Sequence, residues 1–254
     1  MNSQNKKNLL EICAASLEDC LTAQTGGADR IELNAALALG GLTPSHGLLR
    51  EARQALRIPI IVMIRPRPAG FCYSASEFVV MQRDVELALA NGADGIAFGV
   101  LLEDGSIDNA RCAQIIKQAE GREAVFHRAF DVTPEPLAAL DQLMDLGVTR
   151  VMTSGQESNA YNGAANIAHY IRRAARRIQI LPAGGINRFT LADVLSRTGC
   201  KQVHASLSTM KHDASTRARP HISFSSAGFV SEEHYTATSL EAVRELRRLL
   251  SSTG

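Results

Sequence analysis

The feature that most constrains this chain is a unit that recurs four times. GGADRIEL (26–33), NGADGIAFG (91–99), LGVTRVMTSG (146–155) and TGCKQVHAS (198–206) each place a glycine after an amphipathic stretch, then two or three small or polar residues, then a short apolar run. Such a glycine suits the left-handed residue that ends a helix. The Ile-, Val- and Leu-rich run behind it suits a strand buried on both faces. Four further apolar runs lie between these units: LLEIC (9–13), PIIVMIRP (59–66), EAVFHR (123–128) and IQILPAGG (178–185). Eight runs alternating with helical patterns predict a parallel sheet. With eight units over 254 residues, that sheet is a closed (β/α)₈ barrel of the TIM type, in one domain over residues 1–254. A Rossmann or flavodoxin-like sheet is the alternative, but no G-x-G-x-x-G follows the first strand.

Helical spacing predicts one helix over 77–90, carried by Phe78, Met81, Val85 and Leu89. A second is predicted over 135–146, with Thr133 as cap and Pro134 at its first position. The Ser-, Thr- and His-rich stretch 206–239 is expected to be a long loop at the mouth or edge, ahead of a C-terminal helix over 240–250.

Composition narrows the function classes. The 27 basic and 26 acidic residues balance, which argues against a broad nucleic-acid-binding face. No apolar run reaches the roughly 18 residues of a membrane span, and the first residues carry no signal-peptide pattern. Five scattered cysteines without a C-x-x-C pair fit a reduced cytosolic chain. Cys20 and Cys112 fall in helical patterns and are expected in the core, and His212, His221 and His234 are expected in solvent. No nucleophile elbow, P-loop or HExxH occurs, and no lysine stands at a strand end to form a Schiff base.

In a barrel of this kind the working residues sit at the C-terminal ends of the strands. Glu11 and Cys13 share a face of the first strand, and Glu32 and Asn34 a face of the second. Arg65 and Arg67 follow the third, and His127, Arg128 and Asp131 the fifth. Thr153 and Ser154 end the sixth, and His204 and Ser206 the eighth. Charges gathered there suggest either an internal network of Glu11 and Glu32 with Arg65, or a ligand-binding mouth built on it. In the second case Arg65 and Arg128 would clamp a small anion, and Glu11 or Glu32 with His127 would do acid–base work. The glycines Gly184 and Gly185, after the seventh strand, offer backbone N–H groups for a phosphate. Cys13 offers a sulfur ligand for a soft ion such as Cu(I), with Cys72 or His127 as further ligands, or is simply packed.

At these residues the chain resembles the CutC copper-homeostasis protein family. The resemblance runs over about residues 9–207 and more loosely through the tail EHYTATSLEAVRELRRLL. It is carried by LLEIC, GGADRIELNAALALGGLTPS, VMIRPRPAGFCYS, FGVLLEDGSID, FHRAFD, VMTSG and HAS. It implies a cytoplasmic (β/α)₈ barrel, a homo-oligomer, and links to copper tolerance and copper-ion binding, with a polar mouth at Glu11, Glu32, Arg65, His127, Arg128 and Asp131. Members often carry a second cysteine in ELC at the end of the second strand. Here that position is Asn34, so a two-thiolate Cu(I) site cannot form, and the weight shifts toward a small anionic ligand.

Overall fold

A computed structural model describes residues 8–224 and 232–252. Eight parallel strands form the barrel: β1 (Leu9–Ala14), β2 (Arg30–Leu33), β3 (Ile60–Met63), β4 (Gly95–Phe98), β5 (Glu123–Phe126), β6 (Arg150–Thr153), β7 (Gln179–Pro182) and β8 (Gln202–Ala205). Their order is β7-β6-β5-β4-β3-β2-β1-β8, each paired in parallel with the next, so the sheet is a nearly closed barrel. Across the seam between β8 and β7, the Gln202 side chain donates to the Ile180 carbonyl (3.3 Å) and to Gln179 Oε1 (3.1 Å).

The helices between strands are α1 (Leu17–Gly26), α2 (His46–Ala55), α3 (Ala75–Ala90), α4 (Asn109–Gln118), α5 (Pro136–Asp145), α6 (Ala164–Ala174) and α7 (Leu191–Thr198), and α8 (Leu240–Ser252) is the last of the described helices. Gly27, Gly92, Gly147 and Gly199, the glycines of the repeat, all take the left-handed conformation behind a helix. Helix α3 starts two residues before the pattern predicts, because Ser74 and Glu77 form a reciprocal capping box. Helix α5 starts later than expected. Its first-turn proline is Pro136, not Pro134, and Thr133 instead ends a 3₁₀ turn over Arg128–Val132.

Period-2 alternation divides the strand side chains. Leu10, Ile12, Ile31, Leu33, Phe98 and Phe126 pack outward against the helices in the main core. The other parity points inward, where Ile61, Met63, Ala97 and Val125 form one small apolar cluster, and Met152, Leu181 and Ala183 another. The rest of the interior is polar. Arg30 binds Glu11 and donates to Gln202 Oε1 (3.3 Å), and Arg150 faces Glu123 (2.8 Å) and Gln179 Oε1 (3.3 Å).

The stretch 206–239 is not structureless in its described part. It carries β9 (Ser208–His212) and β10 (His234–Thr238), paired antiparallel, and residues 225–231 lie outside the described residues, as do 1–7. His212 and His234 stand opposite each other with ring centroids 5.2 Å apart, and His221 is exposed. All five cysteines are free, with Cys20 and Cys112 fully buried and Cys72 exposed. No helix among the described residues is long and apolar enough to cross a membrane.

Candidate functional site: the barrel mouth

The register of three strands builds the site. Along the ladders Glu11 lies beside Arg30 on one side and His204 on the other, and Cys13 lies beside Glu32. All point inward, with Cys13, Glu32 and His204 nearer the C-terminal ends. Ligand atoms of Cys13, Glu32 and His204 fall within 4.8 Å of one another, and all three residues are buried.

Glu11 is the base of the group. It binds Arg30 and pairs with His204 Nδ1 at 2.8 Å. Burial by itself would raise its carboxyl, but Arg30 and then His204 outweigh that and hold it well below the usual carboxylate range. With Nδ1 bound to Glu11, the His204 ring presents Nε2 to Glu32 Oε2, 3.8 Å away. Burial opposes charge on His204, yet Glu32 and Glu11 together raise its pKa. Glu32 goes the other way for a carboxyl: burial raises its pKa, with the Glu11 charge adding, against the pull of His204. Its Oε1 is buried without a hydrogen-bond partner. Burial, then the charges of Glu32 and Glu11, push the Cys13 thiol well above its ordinary value, so the sulfur is protonated and unreactive as it stands. Asn34 Nδ2 donates to Glu32 Oε2 (2.9 Å) and Cys13 Sγ (3.3 Å), bridging the two.

Cys13, Glu32, Asn34 and His204 line a cavity of about 420 Å³ that also takes in Met63, Arg65, Phe71, His127, Arg128, Asp131, Met152 and Ser206, with Glu11 behind the lining. Its far wall is made of donors. His127 Nδ1 accepts from the Ala129 N–H (3.1 Å), which leaves the ring proton on Nε2, and that atom is buried and unpartnered. Burial, with the charge of Arg65 adding, pushes the His127 pKa down to about 3, so the ring is neutral. The ring lies against Gly99, where an added Cβ would stand 2.5 Å from His127 Cε1. Arg65 stacks on Phe71, which in turn stacks on His127.

The expected pairing of Arg65 with Glu11 and Glu32 is not what forms. Arg65 makes no ion pair among the described residues. Its guanidinium donates to the carbonyls of Leu39 (3.0 Å), Gly41 (2.9 Å) and Ala69 (2.7 Å), and its Nε is buried and unpartnered. The β2–β3 register sets Arg65 beyond the end of the ladder, while Arg30, one turn of the pleat below Glu32, reaches Glu11. Arg67 turns away from the mouth to Glu77. Cys72 is exposed and does not line the cavity, and His127 lines it on the far wall, so neither joins Cys13 in the ligand group.

Asp131 ties loops together. Its carboxylate accepts from Arg128 Nε (2.8 Å), the Ser154 N–H (3.0 Å), Ser154 Oγ (2.9 Å) and the Gln156 N–H (3.2 Å), which joins the turn after β5 to the turn after β6. Arg128 also donates to Ser154 Oγ (2.7 Å), and its side chain is 43% exposed at the rim. Gly184 and Gly185 are both left-handed, and a Cβ on Gly184 would sit 3.5 Å from Arg128 Nη1. The turn therefore supports Arg128 at the rim. It stands apart from the cavity lining, and α7 begins beyond it at Leu191.

The profile of the CutC family matches residues 8–209. The chain belongs to the CutC family. A CutC family protein of Treponema denticola is 46% identical over 245 residues, covering 96% of this chain and all of that protein. A human copper homeostasis protein cutC homolog is 39% identical over 241 residues, covering 95% of this chain and 88% of the human one. The crystal structure of CutC from Streptococcus agalactiae superposes with a TM-score of 0.75 at 34% identity, over 78% of this chain and 97% of that one.

Proposed function

We propose that this chain serves copper homeostasis, as the names of its relatives indicate for them, by binding a metal ion at the barrel mouth with Cys13 as the sulfur ligand. The observation that carries this reading is the grouping of Cys13, Glu32 and His204 within 4.8 Å in an open cavity. The donor chemistry fits copper in part. Cys13 and the thioethers of Met63 and Met152 in the same cavity are soft groups, and His204 supplies imidazole. The proposal includes a cytoplasmic site of action, supported by five free thiols, and a homo-oligomer. A Cu(I) competition titration under reducing conditions, on wild type and Cys13→Ser together, tests it. One-to-one binding lost in the variant would make copper the ion at this site, whereas equal affinity in both removes Cys13 from the site.

A second reading is favoured by the far wall. The Nε2–H of His127 and Nε–H of Arg65 are buried donors without partners, and Arg128 stands at the rim. Unmet buried donors call for an acceptor, so the cavity would take a small anionic, phosphorylated or carboxylated metabolite. Here Arg128 and Arg65 would bind the anion and Glu32 would exchange a proton. Thermal shift against phosphorylated sugars and organic acids tests this. Stabilisation by a subset at millimolar levels is expected, and silence across the whole panel sinks it.

A further inference from the structure

We infer that the ion held by Cys13, Glu32 and His204 is a borderline divalent cation of the zinc class rather than Cu(I), with an open coordination position facing the cavity. The inference rests on the metal-binding reading above and names the ion and the geometry of its use.

Three observations converge. The grouped donors are one sulfur, one imidazole nitrogen and one carboxylate oxygen. Zinc takes this mixture of ligand types, and three protein ligands with a vacant fourth position is the pattern of sites that act on a bound molecule. Cu(I) is selected by sets of thiolate and thioether; the position that would add a thiolate holds Asn34, and the thioethers of Met63 and Met152 line the same cavity beside, rather than in, the three-ligand group. The Asn34 amide nitrogen donates to Cys13 and Glu32, so it orients the ligands as a neighbour.

The second observation is an acceptor with nothing to accept from. Glu32 Oε1 is buried and unpartnered while Oε2 is held by Asn34. An unmet carboxylate oxygen in a buried site costs free energy that a cation would recover.

The third is the support behind the histidine. Glu11 binds His204 Nδ1 at 2.8 Å and is itself bound by Arg30. With Nδ1–H held by Glu11, displacement of the Nε2 proton by a cation leaves a lone pair aimed at Glu32 and Cys13. Carboxylate–histidine–metal chains of this form orient ligands in metal sites. The same cavity is lined by His127 and Arg65, whose Nε2–H and Nε–H are buried and unpartnered, so a small oxyanion bound to the ion would find further donors there.

The test uses Co²⁺ as a spectroscopic probe on the full chain, with the melting temperature of each metal-free variant as the folding control. Stoichiometric Co²⁺ is expected to give the visible bands of a four-coordinate ion and a thiolate charge-transfer band, both displaced by Zn²⁺. Cys13→Ser loses the charge-transfer band. Glu32→Gln and His204→Gln each weaken Co²⁺ by more than the roughly 10- to 100-fold that loss of an outer-shell partner costs. Added oxalate shifts the visible bands of wild type but not of His127→Gln. If Co²⁺ gives no thiolate band in wild type while Cu(I) binds through Cys13, the inference is overturned and the copper reading stands. If neither ion binds, both fall. An oxalate-insensitive spectrum removes the open position.

Discussion

At the scale of single residues, His127 shows how a buried group can be read in solution. It is 4% exposed, its ring is neutral, and its folded-state pKa is about 3 against an ordinary value near 6.5. A histidine with a depressed folded pKa contributes stability that is complete above the unfolded pKa. That contribution is lost as pH falls from about 6.5 toward 3, because the unfolded chain binds the proton first. At about 1.4 kcal/mol per pH unit, the loss between pH 7 and pH 5 is about 2 kcal/mol. Urea unfolding of wild type and His127→Gln at both pH values should show the wild type losing about that much more than the variant. Parallel losses would mean that the imidazole is protonated in place. Glu11 has a depressed pKa too, whose contribution is lost as pH falls through the ordinary carboxylate value and below, and His204 has a raised one; both are present in wild type and variant alike, so they cancel in this comparison.

At the scale of elements, the barrel was legible because its signals are local. The glycine that ends a helix and the apolar run after it are neighbours in the chain, and each of the four repeats became a left-handed cap and a strand. Parity is local as well, so Glu11 with Cys13 and Glu32 with Asn34 could be placed on shared faces. Partnership across strands is not local. Arg30 opens a strand, where a charged residue reads as surface, yet the β1–β2 register sets it against Glu11. His204 was visible at a strand end, but its place beside Glu11 depends on β8 closing back onto β1, which only the whole circuit of strands fixes. Arg65 has the right charge at a strand end, which is all that one of the two sequence readings, the internal network, rests on when it pairs Arg65 with the two glutamates. Asp131 was legible as a polar residue at the mouth, while its use as a tie between two loops depends on the path of the turn after β6. The β9–β10 ladder was missed because β9 (STMKH) is exposed along its whole length with a single apolar side chain, and the alternation in β10 (HYTAT) spans only five residues of a Ser-, Thr- and His-rich stretch.

At the scale of the whole molecule, the segment from β10 into α8 is bound to the start of α1 on the mouth side and to the N-terminal ends of β1 and β2 on the opposite side. Arg247 pairs with Asp29 (2.7 Å) and donates to the Asn8 carbonyl (3.0 Å), and the Thr238 N–H donates to Asp19 Oδ1 (2.6 Å). Val243, Leu246 and Leu250 of α8 are buried, and α8 meets α1 where Gly26 faces Val243. A Cβ on Gly26 would collide with Cβ and Cγ1 of Val243. Gly26→Ala gains up to about 1 kcal/mol of helix propensity, but overpacking against a β-branched side chain costs about 1–3 kcal/mol. The net effect is a loss of about 1–2 kcal/mol, seen as a melting temperature several degrees lower. Val243→Ala in the same chain removes Cγ1, the nearer of the two struck atoms, and keeps Cβ, so the double variant should be less destabilised than the two single losses added together. Because the contact lies far from Cys13, Glu32 and His204, Co²⁺ affinity should be unchanged in Gly26→Ala even as its stability falls. A weaker metal site in that variant would instead show that the docking of α8 reaches through β1 to the mouth.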